Sequence, residues 1–461
     1  MSDSSVNKEI VSQKIKQLRI PEVGKASIRE IVALINLVEE ETGIKYIRME
    51  MGEPGLPPTE IGIQAEIEAL KQGVASIYPM VDGIKPLKDE TARFVKNFMN
   101  ISVHPKGCIP TVGSMQGTFA AFMAAGNTDI SKDTALFIDP GFPVQKQQMQ
   151  VLGLKYDTFD VFNFRGEKLR EKLEEFLSKG NIHSVIYSNP NNPSWICFTE
   201  NELKIIGELA NKYDVIVMED LAYFGMDFRR DMSQPGEPPF QPSVANYTDN
   251  YILFISSSKI FSYAGQRIGM MIISEKLFDR DYPDLQKRFQ GSSFGNTVTL
   301  RLLYSISSGT SHSPQRALTA MLKAANEGRF NFLQDVKEYG EKAKIIKKLF
   351  LENGFDIVYK QDLDEPIADG FYFTISYPGM TGHELVENLI YYGISAIALN
   401  NTGSLEEGIR ACVSRVQRSQ FNELENRLKA FNKQFSLLKN GVNKNLKISI
   451  KYGKSKRYDC S

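Results

Sequence analysis

The chain has 461 residues, long enough for two or three domains with a sizeable core. Its 55 lysines and arginines balance 55 aspartates and glutamates, so no net field draws it to nucleic acid or to a charged membrane, and a small molecule is the default partner. No apolar run approaches the roughly 18 residues of a membrane span and the first residues lack a signal-peptide core; with Cys108, Cys197, Cys412 and Cys460 scattered without CxxC spacing, a soluble protein in a reducing cytosol is expected.

In chain order, "VGKAS" at 23–27 imitates the end of a phosphate-binding loop, but Arg19 stands where its first glycine belongs. "SIREIVALINLVEEETG" then reads as a helix. Short apolar β-runs follow at "TALFIDP" (134–140), "HSVIYSNP" (183–190), "VIVMED" (215–220), "YILFISSS" (251–258) and "RIGMMIIS" (267–274). They are continuous rather than alternating, as in strands covered on both faces. Between the second and third, Thr199 caps a helix with Leu203, Ile206, Leu209 and Ala210 on one face, which makes a βαβ unit. Residues 313–352 read as a long connecting helix or helix pair, and "FDIVYK", "GFYFTIS", "ISAIAL" and "GIRACVS" as strands of a smaller domain.

The expected fold class is α/β: a three-layer large domain with a mostly parallel sheet, plus a smaller α/β domain. The expected division is 1–45 for N-terminal helices joining the small domain, 46–312 for the large domain, 313–440 for the connecting helix and small domain, and 441–461 for a basic tail. His104, His183, His312 and His383 lie far apart without an i+3 or i+4 partner, so no metal site is expected.

Lys259 and Arg267 flank the turn between two apolar runs, and neither cation can be buried without a partner. Asn192, Asp220 and Lys259 follow or end successive strands, which places all three at the carboxyl edge of one sheet, where open α/β sheets bind ligands. Each alone has an ordinary reading: Asn192 as a turn former, Asp220 as a cap. Together they form a constellation.

The segments "SNPNNPS", "EDLAYFGM" and "SSSKIFSYAGQRIG" resemble the signatures of fold-type I pyridoxal-phosphate enzymes, specifically class I/II aminotransferases of the aspartate aminotransferase superfamily, and the resemblance runs from "MGEPG" at 51–55 to "IRACVS" at 409–414. It implies a transaminase that moves an amino group from an L-amino acid to a 2-oxo acid, with pyridoxal 5'-phosphate held on Lys259 as a Schiff base. Asp220 resembles the partner of the pyridine nitrogen, and Asn192 and Tyr223 the donors to the ring's phenolate oxygen. Ser256 and Arg267 resemble phosphate ligands, with Gly113, Ser114 and Met115 opening a helix toward the same anion. Phe142 corresponds to the aromatic stacked on the ring. Arg410 takes the place of the arginine that grips the substrate's α-carboxylate, and Gly52 lets backbone approach the substrate. Tyr78 resembles the tyrosine that reaches the neighbouring subunit's phosphate, which implies a homodimer with shared active sites in the cytoplasm.

The pattern is broken where Ser194 and Trp195 replace threonine and glycine, which reshapes the pocket rim, and where Met115 replaces a polar residue. Arg288 in "KRFQGSSFGN", four residues before Ser292 or five before Ser293, resembles to within one residue the arginine by which some relatives hold dicarboxylates, and its ordinary reading is a solvated helix arginine. The same fold and lysine also serve β-lyases, decarboxylases and cyclopropane-forming synthases. A non-catalytic regulator borrowing this fold would need a DNA-binding module, and the residues before "YIRMEMGEPG" contain no basic recognition helix.

Overall fold

The computed structural model describes residues 6–291 and 293–439. Its centre is a seven-stranded sheet in the order Cys108–Thr111, Gly269–Ile273, Tyr251–Ser256, Ile216–Leu221, Ile182–Ser188, Thr134–Asp139, Lys155–Asp160. The four neighbouring pairs from Tyr251–Ser256 to Lys155–Asp160 are parallel. Gly269–Ile273 runs against both of its neighbours. The reason lies in the connection: residues 257–268 are spent on the four-residue helix Ser257–Ile260 and the turn Ala264–Gln266, not on a helix crossing a sheet face. The two outer strands escape sequence reading because Pro110 interrupts one and polar residues dominate the other, "KYDTFD", as edge strands allow.

Helix Glu200–Tyr213 starts in a capping box between Thr199 and Glu202 and buries Leu203, Ile206, Leu209 and Ala210. The connector is two helices, His312–Asn326 and Lys337–Glu352. The first packs on helices Glu60–Lys71 and Lys85–Met99, the second on helix Phe421–Lys439 and strand Tyr372–Ser376. That strand is the third of an antiparallel sheet ordered Ile397–Ala398, Ile409–Cys412, Tyr372–Ser376, Asp356–Ile357. The N-terminal segment joins this smaller body: Ile47–Arg48 pairs with Ile394–Ser395, and helix Lys8–Leu18 packs on Ile28–Thr42. The basic tail expected over 441–461 lies outside the described residues.

Two buried carboxylates fasten the smaller body to the large sheet. Asp160, ending the outermost strand, accepts from Tyr359 Oη at 2.9 Å, Ser404 Oγ at 2.9 Å and the Leu405 amide at 2.8 Å. Asp362 accepts from Arg165 and Arg229, both at 2.8 Å, and from the Cys197 amide at 3.1 Å. Each carboxylate thus takes three donors from the opposite body, which ties the smaller body to the carboxyl ends of the large sheet.

Candidate active site

A cleft of about 870 Å³ opens between the two bodies, and its wall includes Lys259, Asp220, Asn192, Tyr223, Arg267 and Arg410. Residues far apart in sequence meet there because strands Ile182–Ser188, Ile216–Leu221 and Tyr251–Ser256 are adjacent and parallel, so their carboxyl ends lie side by side.

Lys259 sits in the short helix after the third of these strands. Its Nζ donates to the Gly52 carbonyl and lies 5.5 Å from the centre of the Phe371 ring. No carboxylate forms an ion pair with it among the described residues, and burial pushes its amine down to about 8. A lysine that gives up its proton this readily is nucleophilic near neutral pH. The close approach to Gly52 is possible because that residue has no side chain: a Cβ there would lie 2.0 Å from the Tyr372 hydroxyl.

Asp220 accepts from Gln145 Nε2 at 2.9 Å and from the Ala222 amide at 3.1 Å. Burial nevertheless raises its carboxyl to about 6. The folded protein thus keeps the proton to a higher pH than the unfolded chain, whose ordinary value is 3.8. The cost of ionising Asp220 is absent below that value, grows as pH rises, and is complete above about 6, where it reaches roughly 2–3 kcal/mol. In cofactor-free protein, Asp220→Asn should therefore raise the melting temperature by about 2–3 °C at pH 7.5 and leave it nearly unchanged at pH 4. A calorimetric scan at the two pH values checks this.

At the other end of the cleft, Gly113 opens helix Gly113–Ala125 with φ +63, donates its amide to the Arg267 carbonyl at 3.0 Å, and leaves room for Arg267, whose Nη2 would lie 2.4 Å from a Cβ. Ser114 Oγ is buried without a partner. Ser256 Oγ accepts from the Ser258 amide at 3.1 Å. Arg267 is exposed, donates to the Ala264 carbonyl at 2.9 Å, and has no acidic partner among the described residues. A helix amino terminus, two hydroxyls and an uncompensated guanidinium suit a phosphate dianion.

Arg410 faces this cradle across the cleft. It is 1% exposed, donates to the Glu50 carbonyl, and stands 4.8 Å over the Tyr372 ring. Its Nε has no partner and no carboxylate neutralises it among the described residues, so it presents a buried, uncompensated cation. Asn192 Oδ1 is likewise buried and unpartnered.

Met115 and Phe142 line the cleft. Tyr78 does not; it is 90% exposed, beside exposed Ile77 and Met80. Arg288 is exposed on helix Pro283–Phe289, against Phe289, and stays out of its own chain's cleft. Sequence reading missed Gln145 and Tyr372. Gln145 lies three residues after Phe142, in the first turn of helix Pro143–Leu152, and that spacing from the Gly-Phe-Pro turn was its only signal. Tyr372 was read only as part of a strand, yet Tyr223 Oη donates to its hydroxyl at 2.8 Å.

Three orphaned polar atoms, a lysine that gives up its proton near neutral pH and a buried aspartate fit a ring carrying an aldehyde, a basic nitrogen and a phosphate, together with a carboxylate substrate. The comparisons agree. Residues 44–428 match the model of the family "Aminotransferase class I and II". An aspartate aminotransferase of Sulfolobus acidocaldarius is 24% identical over 250 residues, which cover 53% of this chain and 59% of that relative. An LL-diaminopimelate aminotransferase of Natranaerobius thermophilus is 24% identical over 325 residues, 70% of this chain and 76% of the relative. The crystal structure of an aspartate aminotransferase from Thermotoga maritima superimposes with a TM-score of 0.70 at 19% identity, covering 91% of this chain and 99% of the other, a likeness of fold.

Proposed function

The chain belongs to the class I and II aminotransferases, a family that works with pyridoxal 5'-phosphate, and from that premise we propose that it transfers the amino group of an L-amino acid to a 2-oxo acid in a homodimer of the cytoplasm. The observation that carries this reading is Lys259, a depressed amine without an ion-pair partner among the described residues, in the cleft it shares with Asp220, Arg410 and Ser114 of the Gly113 helix.

In this reading Lys259 would hold the cofactor, Arg267, Ser256, Ser114 and the amides after Gly113 would hold its phosphate, and Phe142 would pack against its ring. When bound, the cofactor supplies an electrophilic carbon and an electron-accepting ring. Asp220 holds a proton on the ring nitrogen, which restores a counter-charge to a carboxylate that burial otherwise penalises. Asn192 would donate toward the ring oxygen, as would Tyr223 once its hydroxyl turns its one proton from Tyr372 to that oxygen and accepts from Tyr372 in exchange. Arg410 binds and orients the donor's α-carboxylate, so that the α-proton points at Lys259. With the cofactor bound, Lys259 Nζ would serve as the base that takes up and returns that proton.

Given single amino acids, the cofactor-loaded protein should change its visible absorbance and release the matching 2-oxo acid. Release of ammonia or carbon dioxide instead would favour the β-lyase or decarboxylase reading. The donor's side chain is decided by a panel of amino acids against 2-oxoglutarate and pyruvate, which also asks whether Arg288 of a second subunit contributes.

The homodimer is supported by exposed apolar Ile77, Tyr78, Met80, Leu300 and Tyr304. His312 Nδ1 lies 3.3 Å from the Ile77 carbonyl, and Gln116 donates to Ser307 at 2.6 Å, so this face adjoins the phosphate end of the cleft. Light scattering should return twice the chain mass, and Tyr78→Phe should loosen the cofactor several-fold without abolishing turnover. An active monomer contradicts this. Among the described residues no helix is long and apolar enough to cross a membrane.

A further inference from the structure

Trp195 stands where the family resemblance calls for glycine, and its backbone has φ +63, the left-handed region that a bulky side chain rarely adopts. Its indole is 0% exposed, and its Nε1 has no hydrogen-bond partner. A hydrogen bond and an easy backbone, the usual supports for a buried tryptophan, are both missing. Strain that persists in a folded protein is held by its surroundings, and here the surroundings are the site.

The indole meets the Tyr223 ring edge-on at 5.3 Å and the Tyr372 ring edge-on at 6.3 Å. Behind it lies Gly370, where a Cβ would come within 1.9 Å of Trp195 Cε2. The turn that carries it is fixed: the Trp195 amide donates to the Asn191 carbonyl at 3.0 Å, and Ser194 Oγ donates to Asn191 Oδ1 at 2.6 Å. Asn192 lies inside that turn. One side chain thus joins the turn of Asn192 to both tyrosines without itself lining the cleft.

We propose that Trp195 is a positioning residue, a wedge that holds the Tyr223 and Tyr372 rings in register with Asn192, so that Tyr223 turns its one hydroxyl proton to the cofactor's ring oxygen while Tyr372 donates to Tyr223 in exchange. The inference rests on the pyridoxal-phosphate reading above. It explains why a strained tryptophan occupies a glycine position: a glycine would relax the backbone but remove the indole's edge contacts, leaving the Tyr223 and Tyr372 rings to Phe371 and to each other.

The test loads wild type, Trp195→Phe and Trp195→Gly with pyridoxal 5'-phosphate and follows visible absorbance against pH, with melting temperatures measured in parallel. Donors to the ring oxygen favour its anionic form and lower the proton affinity of the bound chromophore. Loosening them should raise the absorbance midpoint by roughly half a unit in Trp195→Phe and by about one unit in Trp195→Gly. The Phe variant should recover most of a roughly tenfold kcat loss seen in the Gly variant, with KM little changed. A filler of the core would lower the melting temperature and leave the midpoint alone. A folded Trp195→Phe with the wild-type midpoint overturns the proposal even if the Gly variant does not fold, and leaves the functional reading standing. A wild type with no cofactor absorbance overturns both.

Discussion

Lys259→Ala should lose transamination by roughly a thousandfold or more, because in the proposed function this lysine is both the covalent hold on the cofactor and the base that moves the α-proton. Binding and chemistry should separate. Ser114, Ser256, Arg267 and Asp220 remain in the cleft wall of the variant, so pyridoxal 5'-phosphate should still bind, more weakly. Folding should be little affected. Burial holds the Lys259 amine below its ordinary value, so alanine removes a group whose charged form is penalised in the fold. The checks are single-turnover rates with a good amino donor and equilibrium dialysis of the cofactor. Near-native turnover in Lys259→Ala would remove the lysine from the chemistry.

Arg410→Ala should cost substrate binding about 2–5 kcal/mol, or roughly 30- to 5,000-fold in Kd, the range for removing one member of a buried charge pair. Several donors should suffer alike, since the α-carboxylate is common to all of them. Cofactor content should stay normal, because Arg410 extends from strand Ile409–Cys412 of the smaller body and the phosphate cradle belongs to the large sheet. Arg410→Lys should recover little, since a point charge does not replace a guanidinium fork. Unchanged KM and kcat across donors would take Arg410 out of the site.

The large sheet and the meeting of Asn192, Asp220 and Lys259 were legible in the sequence for one physical reason: continuous apolar runs mark buried parallel strands, and polar residues at their ends stand out against them. The antiparallel course of Gly269–Ile273 was not legible, because direction is set by a connection whose local conformations carry no periodic signal. Gln145 was hidden in the same way. Its sequence surroundings are those of an ordinary helix start, and only the fold brings Asp220 within 2.9 Å. Arg410 needed the resemblance, since nothing in "GIRACVS" says that its arginine is buried, whereas in the structure its unpartnered Nε says so directly. Trp195 was noticed as a departure, but its left-handed backbone and its grip on Tyr223 are properties of the folded turn.

Borohydride reduction of the cofactor-loaded wild type, followed by proteolysis and mass spectrometry, tests the central claim most directly. Reduction converts a link between the cofactor's aldehyde carbon and an amine into a stable secondary amine, so its place on the chain is read as a mass on one peptide. The expected result is one cofactor per chain, on Lys259, with Lys25 at the rim of the cleft and Lys146 beside Asp139 unmodified. A reduced cofactor on another lysine, or a chain that carries none after loading, would contradict the account.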